Sequence, residues 1–462
     1  MSHHVPVRQF RQYLIQGAPI WLRIILGIGL LLINVAVAVF ASQTQLTSVL
    51  YLSIGLGLLL SFLIWPPVGL IVAALSGSFV SIVGPSGLNI TMILVTLLLG
   101  LWLLGMVVQP GRKQPAPSKT VWSLLIFVAV SLFSFGIGQL PWYAFAQHAP
   151  FGAQLGGLSI AILSVGTFLL AANQLRDIVW LKRITWAFLT LSAIYVVANM
   201  VLPNLGLPTS EILQPVGSVF YIWLVAIGFS QALYNRDLHP GWRLALIGMV
   251  LVNIYFHLFL RYEVKSSWFP IIVCLAVIIG LRSWRAMLVT VIVGGLFMLY
   301  LSLNAVSSEE YSISTRLEAW AIILQIIKIS PIWGLGFANY YWYTPLFPIR
   351  GYEVSFNSHN NYLDIAAQVG LVGLLCILIF FWQIGRLGWR MRDSSPPGFA
   401  QAYVYGALGG LSGMVVAGML GDWILPFFYN VGLIGFRSSM LGWLFLGGLV
   451  GLEQIVKSSK PG

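Results

Sequence analysis

Apolar runs close to twenty residues long recur along almost the whole chain, separated by short polar stretches. About 20 residues of helix cross the hydrocarbon layer of a bilayer, and backbone in that layer must satisfy its own hydrogen bonds. The pattern predicts an all-α, polytopic helical membrane protein. Spans are expected near 20–41, 48–64, 67–84, 88–108, 120–138, 155–172, 182–202, 218–234, 242–260, 268–283, 285–304, 360–383, 402–420 and 434–455. The stretches 48–84 and 268–304 read equally well as two short spans or as a re-entrant pair, so the expected total is about 12 to 14.

One stretch departs from this rhythm. Residues 305–358 form a long, more polar loop that contains "STRLEAWAIILQIIKISPIWGLG", with apolar residues at helical spacing and Pro331 as a stop. A short helix lying on the membrane surface is expected there. Thr315 and Glu318 have the spacing of a capping box, which makes Arg316 the first residue of the predicted helix. A cation at that position opposes the helix dipole but suits a bound phosphate.

Composition narrows the class. The chain is 59% hydrophobic and 8% charged, against about 25% charged residues in an ordinary globular domain, which excludes a soluble fold. The single integral membrane domain is read as covering 1–462. Cys274 and Cys376 both lie within apolar spans, so neither a disulfide framework nor a zinc site is expected. The first apolar run follows Arg8, Arg11 and Arg23, and its length is that of a retained helix, not of a signal peptide.

A net charge of +12 raises the question of nucleic acid, but the cations sit in short loops and form no continuous basic surface. With the N-terminus inside, 18 of the 24 Lys and Arg residues fall on the cytoplasmic side, as the positive-inside rule expects. The other six are Arg261, Lys265, Arg316, Lys328, Arg350 and Arg437, all in or beside loops of the opposite face. Lys328 and Arg350 read as solvated loop charges; the rest call for anionic partners.

Asn253, His257 and Arg261 are spaced four and four, so they line one face of a predicted helix and climb toward the outer surface. Polar groups at membrane depth are costly, which points to an anion site or polar pathway. In "SHNNYLDIAAQVGLVG", His359, Leu363, Ala366, Gly370 and Gly373 step by four, three, four and three and are expected to share one helical stripe. The small residues permit close helix packing while His359 projects at the outer end. A histidine of ordinary pKa is able to take a proton from a nearby hydroxyl at neutral pH.

These residues resemble the O-antigen ligase and O-antigen polymerase family. "HNNYLDIAAQVGLVG" fits that family's H-N-x9-G-x-x-G signature, "RLEAW" its R-x-x-x-W element and "SPIWGLG" its P-x-x-G-x-G element. The resemblance covers roughly 250–385, the expected catalytic region. Where members often open the next span with a Ser-Arg pair, this chain reads "VKSSWF", leaving Arg261 or Lys265 as the second cation.

The resemblance implies an inverting, metal-independent glycosyltransferase of the bacterial inner membrane with no cofactor. Its donor would be a glycan on undecaprenyl diphosphate and its acceptor a sugar hydroxyl of a glycan or glycolipid, met on the periplasmic or outer face. His359 would be the general base, with Arg316, Arg261 and Lys265 as diphosphate ligands. Asn360, His257, Asp364, Gly370 and Gly373 would support them. The chain has no D-x-D, in keeping with cations replacing a metal at the diphosphate.

Ligation to lipid A core in lipopolysaccharide synthesis, polymerisation of O-antigen or exopolysaccharide repeats, and protein O-oligosaccharide transfer all share that donor end. The complete histidine signature favours ligation. A rival from another class, an anion transporter, should carry ionisable residues through the bilayer depth and repeated broken helices. A lipid-carrier binding protein would need the arginines but not the histidine. Asp364 and Asp422 are read as either functional or structural, Asp422 pairing with Arg437 or a backbone amide. Trp333, Tyr340, Tyr341, Trp342 and Tyr343 are read as an interfacial aromatic belt.

Overall fold

The computed structural model describes residues 65–79, 87–108, 119–141, 144–206, 217–260, 265–304 and 308–459, with isolated positions 57, 62 and 208. Met1–Trp65 and Pro66–Gly462 are two compact units. The expected span at 20–41 lies outside the described residues, as does that at 48–64 apart from positions 57 and 62.

Apart from isolated bridge residues, Ile349 with Tyr352 among them, regular structure among the described residues is helical. In chain order the helices are α1 (Pro66–Phe79), α2 (Ile90–Val108), α3 (Lys119–Ile137), α4 (Phe151–Gln174), α5 (Ile178–Val196), α6 (Ser218–Tyr234) and α7 (Pro240–Tyr255). Then follow α8 (Lys265–Gly280), α9 (Trp284–Asn304), α10 (Ser308–Ile327), the single turn α11 (Tyr340–Tyr343), α12 (Asn361–Ser394), α13 (Phe399–Leu420) and α14 (Phe436–Ser458). Among the described residues, eight helical segments are long and apolar enough to cross a membrane, and four apolar helices are shorter.

The contacts define two ends of the bundle. At one, Lys182 lies over the Phe399 ring, Arg243 donates to the Ala232 carbonyl and Gln454 reaches the Ala172 carbonyl. Asp177 caps α5 through the Val179 amide there. At the other end, Asn89 donates to the Leu433 carbonyl, Asn361 to that of Leu425 and Arg437 to that of Gly77. This second end holds His359.

Between the ends, small residues set the helix spacing. A Cβ on Gly410 of α13 would run into the Trp223 ring of α6, and one on Gly447 of α14 would stand 2.5 Å from the Phe168 carbonyl of α4. Such close approach is how helices gain packing energy where lipid removes the hydrophobic drive. Stacked pairs, Trp223 on Phe445 and Phe380 on Trp443, fill the rest of the seam.

Two expectations about local structure are corrected. Helix α10 begins at Ser308, seven residues before Thr315, so Thr315 and Glu318 form no capping box and Arg316 is an interior residue. Glu318 instead pairs with Arg350, accepting from its backbone amide at 3.1 Å and its Nε at 3.2 Å. The presumed aromatic belt is also a packing element. Tyr340 and Tyr343 are fully buried; Tyr340 stacks on Phe427, and Tyr341 on Tyr429.

The third correction concerns the helix that follows the histidine. His359 lies outside α12, whose N-cap is Asn360, and the helix breaks at Gly370 (φ 76°, ψ 178°), so the stripe from His359 to Gly373 is not continuous. The break frees backbone groups that an intact helix would pair. The loop 331–336 takes them up: Leu371 donates to the Pro331 carbonyl at 2.8 Å, Leu335 to that of Ala367 at 2.9 Å and Gly336 to that of Gln368 at 3.0 Å. Ser134 of α3 adds a bond to the Gln368 carbonyl at 2.6 Å.

Only glycine fits on either side of this junction. A Cβ on Gly370 would overlap the Ile332 carbonyl, and one on Gly334 (φ 75°) would stand 2.5 Å from Gln368 carbonyl atoms. Gly370→Ala combines this overlap with a left-handed backbone and is expected to cost more than about 3 kcal/mol. Gly385→Ala, in regular helix with its Cβ 3.5 Å from Leu411, should leave stability unchanged or slightly raised. Thermal melts of both variants in detergent, against wild type, test the contrast; equal melting temperatures would refute it.

Candidate active site

The site is built from the turn that enters α12. His359 has a left-handed backbone (φ 49°), uncommon for a residue with a side chain and a form of strain that neighbouring structure must hold. Ser358 holds it from one side: its Oγ accepts from the Asn360 amide at 2.9 Å and lies 2.6 Å from Asp364 Oδ1. Asn360 holds it from the other, its side-chain oxygen accepting from the Tyr362 and Leu363 amides as a helix cap.

Helix α10 clamps the same turn. Trp320 donates its indole N–H to the Ser358 carbonyl at 2.8 Å, and Arg316, one turn earlier, donates to the Leu420 carbonyl at 3.3 Å. The four-residue spacing of "RLEAW" therefore puts both side chains on one helix face. One anchors the backbone next to His359, the other the end of α13. Beside them, α10 buries Ala319, Ile323 and Ile326 in a cluster with Tyr340, Ala366 and Phe427.

The loop 421–432 closes the site. Asn361 pins it, accepting from the Ile424 amide at 2.6 Å and donating to the Leu425 carbonyl at 2.7 Å. Asp422 is fully buried; its Oδ2 accepts from the Phe427 amide at 2.9 Å and its Oδ1 from Asn430 Nδ2 at 2.6 Å. The same Asn430 nitrogen stands 3.4 Å from His359 Nδ1.

Electrostatics favour a neutral histidine. Burial and the nearby Arg316 charge push the His359 pKa below its ordinary value, against a smaller opposing pull from Asp422. Burial also raises the Asp422 carboxyl, while its two hydrogen-bond donors act the other way. Behind the turn, the Tyr340 hydroxyl donates to Asp364 Oδ1, and burial beside that carboxyl holds the phenol protonated. The other Asp364 oxygen has no partner and belongs to a small cavity shared with Gln368, Phe337 and Leu425.

The structure thus brings His359, Arg316, Asn360 and Asp364 to one end of the bundle. Gly370 and Gly373 lie deeper, at the helix break. His257 is not part of this group: it is buried in a π-helical turn after α7, 4.2 Å ring to ring from Tyr221, with Asn253 buried one turn before it. Arg261 and the Lys265 side chain lie outside the described residues. Asp422 meets a backbone amide, that of Phe427, as one of the two readings of the sequence had it. Asn430 escaped sequence reasoning, its only signal being a polar interruption, "GDW" to "YN", between two apolar runs; Tyr340 was read only as part of the aromatic belt, and Ser358 and Asn361 were given no role.

Removing Asn361 strands a buried carbonyl and buried amides of the 421–432 loop, so Asn361→Ala is expected to cost about 2–4 kcal/mol. Asn360→Ala loses a cap and should cost only about 1 kcal/mol. Equilibrium unfolding in mixed detergent micelles measures both; a smaller loss for the Asn361 variant would contradict this assignment.

Residues 238–378 match the family model described as O-antigen ligase. The matched segment runs from the loop before α7 into the second half of α12 and contains Arg316, Trp320, Gly334, Gly336, His359, Gly370 and Gly373; Asp422 and Asn430 lie beyond it. No curated protein matches the chain. Residues 238–378, which hold the clamped histidine turn and the glycine junction beneath it, are thus similar to the O-antigen ligase family.

Proposed function

We propose that the protein transfers a glycan from undecaprenyl diphosphate to a sugar hydroxyl of a glycan or glycolipid acceptor, at the end of the bundle that holds His359. The observation that carries this reading is the histidine itself, held on a strained backbone beside the Arg316 charge and kept neutral by its surroundings. A neutral imidazole at a membrane-protein surface next to a guanidinium suits a hydroxyl nucleophile and an anionic leaving group.

In this mechanism the acceptor oxygen bonds to the anomeric carbon as its proton passes to His359. The bond from that carbon to the diphosphate oxygen breaks, its electron pair leaves with the diphosphate, and the configuration inverts. Arg316 offsets the charge gathering on the departing group. Arg261 and Lys265 are proposed to supply a second cation, and Asn360 and Asp364 to hold the turn.

Orientation follows from charge. Arg176, Lys182, Arg183, Arg236, Arg243, Arg282, Arg285, Arg386, Arg390, Arg392 and Lys457 mark the opposite end, which the positive-inside rule places in the cytoplasm. His359 then faces the periplasm of a bacterial inner membrane, where lipid-linked glycans are met. The complete histidine signature favours single transfer, as in ligation, over repeated transfer.

Purified protein, a lipid-diphosphate-linked glycan and candidate acceptors provide the test. His359→Gln is expected to lower transfer by about 10²- to 10⁴-fold; wild-type rates in that variant would sink the mechanism. One product size indicates ligation and a ladder indicates polymerisation.

The pH profile gives an independent check. His359 works as a base only when unprotonated, and its pKa lies below the ordinary 6.5, so transfer should be full at neutral pH and fall only below 6.5. Arg316→Gln removes one cause of the depression and should move this acid limb to higher pH, besides weakening donor binding. An unmoved limb would show that Arg316 does not act on the histidine.

A further inference from the structure

The transfer at the His359 end makes no use of a groove that opens at the opposite end, between α3 and α12. Two contacts set these helices against each other: Ser134 donates to the Gln368 carbonyl at 2.6 Å, and Ser123 Oγ lies 3.2 Å from Gln383 Oε1. The helices therefore run antiparallel, with Ser123 and Gln383 facing. One step back along a helix turns the side chain by about 100°, and in an antiparallel pair the two turns lead to the same side. Trp122 and Trp382 thus flank one side of the seam, and they are 68% and 71% exposed.

Toward His359 the two stripes continue through Ile126 and Phe133 on α3 and through Leu378 and Leu375 on α12, all exposed. Toward the other end they finish in charge. Lys119 lies three residues before Trp122, and Arg386 and Arg390 lie four and eight after Trp382, all three exposed. At 1.5 Å per residue, Lys119 and Arg386 stand about 6 Å and about 5 Å past the contact of Ser123 with Gln383, side by side in depth.

These cations have no acidic partner among the described residues. Asp393 is held by Arg392 and Glu453 by Lys457, each at 2.8 Å; Asp177 caps α5, and Asp237 lies against Gly398. The chain has no acid before Asp177, and α12 has none between Asp364 and Asp393. From Leu375 to Arg386 the stripe runs about 16 Å, half of a hydrocarbon core of about 30 Å. An apolar track of that length, ending in tryptophan and unpaired cations, complements a molecule with an acyl tail and an anionic head.

We propose that this groove binds an anionic phospholipid of the leaflet opposite His359. Its phosphate lies among Lys119, Arg386 and Arg390, and one acyl chain follows the seam beside Trp122 and Trp382. Bound there, the lipid joins α3 to α12, the pair whose other ends meet at the Gln368 carbonyl. The site is independent of the transfer chemistry.

Native mass spectrometry of the full-length protein, titrated in detergent with phosphatidylglycerol or phosphatidylcholine, should show a preference for phosphatidylglycerol. Each cation is expected to contribute about fivefold, so replacing Lys119, Arg386 and Arg390 together by Gln should weaken binding about a hundredfold. The same loss of charge at Arg183, Arg236 and Arg285, exposed cations of that end on other elements, should leave it unchanged. Phosphatidylglycerol with brominated acyl chains locates the tail. It should quench wild-type fluorescence more than brominated phosphatidylcholine does, and Trp122→Phe with Trp382→Phe should abolish that excess while the lipid stays bound. Glycerol 3-phosphate, a head without tails, should not compete. Equal affinity for both lipids, equal losses in the two triple variants, quenching that survives the tryptophan changes, or displacement by glycerol 3-phosphate would each overturn the site.

Discussion

The arrangement of this end of the molecule depends on one constraint: backbone N–H and C=O groups away from water must be paired. Helix α12 is broken just below the histidine turn, and an unpaired break at that depth would be expensive. The loop 331–336 meets this demand with its own backbone, strand-like, against residues 367–372. Once that junction is made, the short segment 361–369 is fixed independently of the long segment below it, and α10 is drawn over the turn because the same loop follows it in the chain.

Polar side chains then do locally what the junction does for the backbone. Asn361, Ser358 and Asp422 bond to main-chain groups of irregular segments, and Asn360 to the first amides of α12, where no helix supplies partners. The aromatic residues fill the space between, Tyr340 serving both as a stacking surface for Phe427 and as the donor to Asp364. Polar pairing and aromatic packing together hold His359 in a backbone conformation it would not adopt alone.

The hydrophobic pattern made the helices legible because each span encodes itself: period and length are local properties. The motif residues were legible too, but not their geometry. Gly370 was assigned to a helix face because small residues at spacing three and four look the same whether the helix continues or breaks; the difference lies in the carbonyl of Ile332, 38 residues earlier. The Thr-x-x-Glu spacing that points to a helix start at Arg316 arises as readily inside a helix. Asn430 and Asp422 reach His359 from beyond another complete helix, and no sequence spacing links them to it.

The junction between the two glycine motifs has a consequence for how such proteins diversify. Because the 331–336 loop and the 367–372 break complete each other bond by bond, neither is a movable part. A chimaera that exchanged the long loop 305–358 between relatives would carry one half of a joint and leave the other in the host. Units of exchange that preserve the junction must run from α10 through the break in α12.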